Sequence, residues 1–330
     1  MIKIGVYLPV YGGWLPVKGS EKAQTDKFYF YTEKEEYPTY EYVKKVALTA
    51  EKIGIDSLWI PDHMLNPIKG ETSPALEAWT IATAIAEATN KIIIAHTTLC
   101  EAFRYPAVLA KQAATLWEIS KGRFLLSIGA GWYRREYEAY GLTFLKHDDR
   151  VERARETIKI IKSLWKHNNV TFKGRFYSIT NGILEPKPIP TPPIWYAGMS
   201  EASKRLVTEE ANGWLMRGMN IVDVKRQIED MRGRLSNFSK KDLEFAIPAL
   251  TIVRDSDREA ENILENITRG EMNVLDRTLD TGLIGSYETV AQKIREFEKI
   301  GVNHILLQLT PTLSELHRIK KLLTLVKKIH

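Results

Sequence analysis

Only one cysteine, Cys100, occurs in 330 residues, and a lone thiol among seven scattered histidines can form no internal disulfide and offers none of the spacings that bind zinc. A structural metal is not expected. No apolar run approaches the roughly 20 residues that cross a bilayer. The opening MIKIGVYLPV has no basic stretch, no long apolar core and no small-residue cleavage site, so neither a membrane partner nor export is expected and the chain reads as cytoplasmic. A glycine-rich dinucleotide fingerprint is missing after the first apolar run, which argues against an open doubly wound sheet.

A concentration of charge of one sign is missing too. The formal net charge is +6, but Lys and Arg alternate with Glu and Asp, as in VERARETIKIIKSLWK (151–166). That is the pattern of solvated helix faces, not of a basic stripe, so no nucleic-acid partner is expected. A small anionic ligand fits the excess equally well. With 44% hydrophobic and 27% charged residues the composition is that of a globular chain. The whole of 1–330 fits a single α/β barrel domain.

What is present is an alternation of short apolar runs with longer amphipathic ones. Strands are predicted at 3–9, 57–61, 91–99, 123–130, 193–198, 213–217, 243–253 and 303–309. Helices are predicted at 39–53, 76–88, 106–119, 147–166, 201–211, 221–235, 256–268, 287–299 and 313–328. In the fourth of these, Val151, Ala154, Ile158, Ile161 and Trp165 share one face. Strands followed by helices in this number close most economically into a (β/α)8 TIM barrel. Three connections are longer than βα or αβ loops usually are, 11–37, 167–192 and 269–285, and they read as insertions. The first and third belong at the C-terminal mouth, where such barrels carry their sites.

Polar residues at the strand ends are therefore the candidates. Ser200, after Gly198 and Met199, reads as a helix N-cap with Ser203 in the first turn. Free backbone N–H groups and the helix dipole there suit a phosphate, although plain capping explains Ser200 equally. His63, beside Asp62, offers a group that titrates near neutrality or a satisfied hydrogen-bonding residue. In GAGWY (129–133), the backbone of Gly129 and Ala130 lets a flat ring approach and Trp132 and Tyr133 line a pocket, or the stretch is a tight turn with aromatic packing. Thr98 ends the third strand, and of His96 and Thr97 only one need face inward. Cys100 has no basic neighbour in sequence and reads as a spectator. Arg104 is an anion contact or, more commonly, an exposed loop arginine, and Arg217 and Arg277 are anion contacts or surface ion-pair residues.

The runs SLWIPDHM (57–64), RYPAVLAKQAATLWEISKGRFLLSIGAGWYRREYEAYG (104–141), IWYAGMSEASKRL (194–206) and LIGSYETVAQKIREFEKIGVNHILLQ (283–308) together resemble the bacterial luciferase-like flavin-dependent monooxygenases, in the same order and over nearly the whole chain. Within that family, KIGVYLPVYGGWL, FKGRFYSI, EPKP and AGMS look most like the alkanesulfonate, dimethylsulfone and pyrimidine monooxygenase branch. The resemblance implies a luciferase-like barrel, reduced FMN (FMNH2) as cofactor, a separate NAD(P)H-dependent flavin reductase, O2 and a small-molecule substrate, organosulfur compounds included. It also implies a homodimer or a dimer of dimers. His63 matches the family histidine near the flavin, and Ser200 and Ser203 match its phosphate segment. On this reading the flavin ring packs by Thr98, Gly129, Ala130 and Trp132, and Gly198 and Met199 join the cofactor-binding candidates. Arg217 and Tyr133 join His63 as catalytic candidates. Pro248 and Leu250 stand where alkanesulfonate enzymes carry arginine and histidine, which disfavours a sulfonate. The Asp62-His63 pair resembles deazaflavin-dependent members, so a deazaflavin reductase or dehydrogenase is the alternative, and a flavin carrier a third.

Overall fold

The computed structural model describes residues 1–12, 37–236, 242–268 and 272–327. Its strands are β1 (Lys3–Tyr7), β2 (Ser57–Ile60), β3 (Ile93–His96), β4 (Leu99–Cys100), β5 (Phe124–Gly129), β6 (Val170–Lys173), β7 (Ser178–Gly182), β8 (Ile194–Ala197), β9 (Gly213–Leu215), β10 (Glu244–Arg254), β11 (Leu283–Ser286) and β12 (His304–Gln308). The helices are α1 (Tyr40–Ile53), α2 (Ala78–Ala88), α3 (Pro106–Ile119), α4 (Arg134–Ala139), α5 (His147–Lys166), α6 (Glu201–Glu210), α7 (Ile221–Leu235), α8 (Asp257–Thr268), α9 (Met272–Thr281), α10 (Tyr287–Ile300) and α11 (Thr312–Lys327).

The strands β1, β2, β3, β5, β8, β9, β10 and β12 pair in that order, every pair parallel, and β12 returns to β1. The predicted (β/α)8 barrel is thus closed. Its strands are apolar on both faces because helices cover them outside and side chains fill them inside. Gly5 lets Ser57 and Trp59 into the interior, where a Cβ would lie 2.6 Å from Ser57 Oγ. Trp59 and Trp195 then meet with ring centroids 5.6 Å apart, forming a solid plug beneath the mouth.

Local signals place the helices. Thr39 accepts from the Tyr42 amide at the start of α1, and Gly54, at φ 90°, ends it, as capping rules demand. For α5, no side chain caps the start, a lack worth about 1 kcal/mol. The predicted face of Val151, Ala154, Ile158, Ile161 and Trp165 is buried throughout. At about 1.5–3 kcal/mol for each large apolar side chain, that face decides where the helix sits.

Two of the expected loops contain structure. Within 167–192, β6 and β7 form an antiparallel hairpin, and Glu156 on α5 holds its turn by accepting the amides of Arg175, Phe176 and Tyr177 at 2.6, 3.0 and 3.0 Å. Within 269–285 lie α9 and β11, and β11 pairs with residues 251–254, the part of β10 that runs on past the barrel. Leu250, Ile252, Ala260, Leu264 and Ile284 form a small apolar cluster there, separate from the main core. This insertion stands on the mouth side, as the third connection was expected to. Most of the first connection, 13–36, lies outside the described residues. Among the described residues no helix is long and apolar enough to cross a membrane.

Of the pair left open at the end of β3, Thr97 faces inward and donates to the Tyr7 hydroxyl at 3.0 Å, while His96 points out and stacks on Trp79 at 5.4 Å and 9°. Burial pushes the His96 imidazole down to about 4, so it is neutral in the folded state near pH 7. A group whose folded pKa lies below its unfolded value near 6.5 contributes stability above that value and loses it as pH falls towards 4. We expect His96→Phe, which keeps the stacking, to flatten the decline in unfolding midpoint between about pH 6.5 and 4; chemical unfolding followed across that window checks it.

Candidate active site

The strand C-termini enclose a cavity of about 340 Å³ whose wall includes Tyr7, His63, Thr97, Thr98, Gly129, Ala130, Trp132, Gly198, Met199, Ser203, Arg217 and Pro248. Nine of the eleven predicted site residues are in this wall: His63, Thr98, Gly129, Ala130, Trp132, Gly198, Met199, Ser203 and Arg217. Tyr133 and Ser200 stand just behind it. The volume falls in the range of ordinary ligand pockets, about 300–1,000 Å³.

His63 leaves the end of β2 and is boxed by aromatic edges, with Tyr11, Trp132 and Tyr133 rings at 5.8, 5.7 and 6.4 Å. Its Nδ1 lies 3.1 Å from both carboxylate oxygens of Glu136, and one of those oxygens also accepts the Met64 and Leu65 amides at 2.7 and 3.0 Å. No partner for Nε2 is found among the described residues. Asp62, next in sequence, serves structure: it accepts the Cys100 amide at 2.8 Å and both guanidinium arms of Arg104 at 2.8 and 3.0 Å. Arg104 also pairs with Glu77. Burial works against its charge, but the two carboxylates outweigh that and hold it above its ordinary pKa. Arg104 is therefore committed to this network and not to a bound anion.

At the opposite rim, Ser200 caps α6 by accepting the Ser203 amide at 3.2 Å. Its hydroxyl is also 3.0 Å from the Ser203 hydroxyl and 2.9 Å from His147 Nε2. The capping reading of Ser200 holds, and its hydroxyl also belongs to a hydroxyl and imidazole cluster at the positive end of the helix dipole. Gly198 admits this cluster, since a Cβ there would overlap the Ser203 hydroxyl.

The GAGWY turn is shaped by packing. Gly131 has φ 70°, and a Cβ on it would overlap the Tyr137 hydroxyl and come within 2.8 Å of Cys100 Sγ. Cys100 Sγ is 3.0 Å from that hydroxyl, and burial pushes the thiol up to about 12. It remains protonated at neutral pH and makes a poor nucleophile, in line with the spectator reading. Trp132 lies half-exposed at the rim with Tyr133 stacked behind it at 5.3 Å. Arg217 shows no carboxylate partner among the described residues, while Arg277 is exposed on α9, outside the cavity wall. Sequence reasoning missed Glu136, His147, Tyr7 and Tyr137. The first two lie 73 and 53 residues from the partners that give them meaning.

A family model described as luciferase-like monooxygenase matches residues 14–278. The chain belongs to the luciferase-like monooxygenase family. It is accordingly an oxidoreductase on a luciferase-like barrel. An FMNH(2)-dependent dimethylsulfone monooxygenase of Pseudomonas fluorescens (strain Pf0-1) is 26% identical over 299 residues, covering 81% of each chain. An F420-dependent glucose-6-phosphate dehydrogenase of Amycolatopsis mediterranei (strain U-32) is 31% identical over 224 residues, 67% of this chain and 66% of its own. Among solved structures, an F420-dependent secondary alcohol dehydrogenase superposes with TM-score 0.76 at 20% identity, covering 99% of each chain. This last likeness concerns the fold. The luciferase-like mouth of this chain also suits the cofactor type: a hydroxyl cluster at a helix N-terminus for a phosphate, and bare backbone from Gly129 to Gly131 with apolar side chains for a flat ring.

Proposed function

We propose that this chain is the oxygen-transferring component of a two-component system, using reduced FMN supplied by a separate NAD(P)H-dependent reductase to place one atom of O2 on a small organic compound. A sulfone or related organosulfur compound is the leading substrate class. The observation that carries the reading is one cavity joining an anion seat at Ser203 and His147 to a histidine, His63, backed by a buried carboxylate. When bound, reduced FMN supplies the two electrons that the second oxygen atom takes as it leaves as water. The protein's part is to bind, orient and exclude water.

In this reading Ser200, Ser203 and His147 hold the phosphate, with Gly198 and Met199 beside it. Thr98, Gly129, Ala130 and Trp132 border the ring, and His63 holds or takes up a proton at Nε2. Tyr133 supports the ring of Trp132 from behind. Arg217 offers five N–H donors on a wall otherwise made of Leu215, Met216 and Pro248, and it fits an oxygen-bearing group of the substrate. We expect Arg217→Ala to raise KM for the substrate about 10- to 100-fold, as loss of a charge-assisted hydrogen bond would, with the affinity for reduced FMN unchanged. Steady-state kinetics beside a flavin titration separates the two. We also expect a homodimer or a dimer of dimers, measurable by light scattering.

A second reading, hydride transfer with a deazaflavin, is favoured by the glucose-6-phosphate dehydrogenase relative and by the Asp62-His63 pair. Parallel anaerobic titrations with FMN, reduced FMN and both redox forms of the deazaflavin decide between them once oxygen is admitted. Tight binding of reduced FMN with oxygen uptake supports the oxygen-transfer reading. Preferential deazaflavin binding with no reaction towards oxygen overturns it.

A further inference from the structure

We infer that Glu136 is the positioning residue of His63: it fixes the imidazole in the tautomer that carries its hydrogen on Nδ1 and turns a bare Nε2 to the cavity. The inference rests on the assignment of His63 to the reacting end of the cavity. Glu136 lies on α4 in the charged run RREYEAYG, which reads as a solvated helix turn, yet it is only 2% exposed. No cation of Lys or Arg neutralises it among the described residues. Its bonds go to the Met64 and Leu65 amides and to His63 Nδ1, at 2.7, 3.0 and 3.1 Å.

The logic of donors settles the ring. Two backbone N–H groups already define this carboxylate as an acceptor, and an ionised carboxylate has no hydrogen to give. Nδ1 must therefore donate, and a neutral imidazole has only one hydrogen for its two nitrogens. Nε2 is left with its lone pair. The aromatic edges of Tyr11, Trp132 and Tyr133 stop the ring from turning away. When Nε2 takes up a proton from the reacting centre, the imidazolium that results faces a carboxylate already in place, so its charge is met without movement of the protein.

The competing account is that Glu136 only fastens residues 63–65 to α4. Glu136→Gln separates the two. A glutamine keeps a carbonyl oxygen for the Met64 and Leu65 amides, but its NH2 group donates to Nδ1 and drives the hydrogen to Nε2. The test is the imidazole ¹⁵N spectrum of flavin-free protein labelled at histidine, assigned by loss of one ring's signals in His63→Ala and recorded at a pH where the ring is neutral. We expect hydrogen on Nδ1 in the native protein and on Nε2 in Glu136→Gln. Turnover should fall about 10²–10⁴-fold, the usual worth of a positioned acid or base whose proton stands on the wrong nitrogen, with unchanged affinity for reduced FMN and an unfolding midpoint close to native. A native spectrum with hydrogen on Nε2 overturns the proposal, and this reading needs no variant at the carboxylate to fold. A Glu136→Gln spectrum identical to the native one overturns it as well. Because the spectra are taken without flavin, an active His63→Ala protein would strike the proposed function while leaving the tautomer assignment in place.

Discussion

Replacing His63 by alanine is expected to lower turnover about 10²–10⁴-fold, the usual worth of a positioned general acid or base, while binding of reduced FMN stays within about twofold of native. The separation follows from where the groups stand. The proposed anion seat is built from α6 and the start of α5, through Ser200, Ser203 and His147, whereas His63 hangs from β2 and is held by α4. None of these three side chains bonds to His63 among the described residues, so the loss should fall on the chemical step. Single-turnover measurement with preformed reduced flavin and saturating substrate reads that step directly. Turnover equal to native would remove His63 from the mechanism.

The second large effect concerns stability. Asp62→Ala should cost about 3–5 kcal/mol, the penalty for removing one partner of a buried ion pair, seen as a lower midpoint in urea. The side chains of Asp62 and Arg104 are 1% and 9% exposed, and removing the carboxylate leaves the guanidinium with Glu77 alone, whose side chain is 38% exposed. The Cys100 amide loses its acceptor as well. Asp62→Asn, which keeps one acceptor oxygen, should cost less than half as much. Because Asp62 ties the end of β2 to β4, the alanine variant should also bind flavin poorly even where it remains folded. A midpoint equal to native would mean that water replaces the carboxylate, and that the pair is less enclosed than its exposure indicates.

The barrel was legible because period and length agree along most of the chain. Apolar runs such as 123–130 and 303–309 are too short for helices, and the five-residue stripe on α5 is too regular for a strand. What escaped was structure whose signal is short or mixed. The hairpin of β6 and β7 precedes the proline-rich PKPIPTPP, which marks the whole stretch as a loop, and its turn is fixed by Glu156, a residue of another element. Among site residues, His63, Ser203 and Gly129 were legible because they end strands or begin helices, positions that topology sends to the mouth. Glu136 and His147 were not, since each sits in a charged run that looks solvated, and only the closed barrel brings it to its partner. Arg104 shows the converse: an unremarkable loop arginine in sequence, it proves to be bonded to Asp62 and Glu77.

The insertion of α8, α9 and β11 carries its own small apolar cluster and joins the barrel through the overrunning end of β10. A segment with a private core can open while the barrel stays closed, so its amides should exchange with solvent as a group and earlier than those of β1 or β5. For the same reason it is a natural unit of exchange between relatives: it can be replaced as a cassette while the barrel strands, β2 with His63 at its end among them, keep their register.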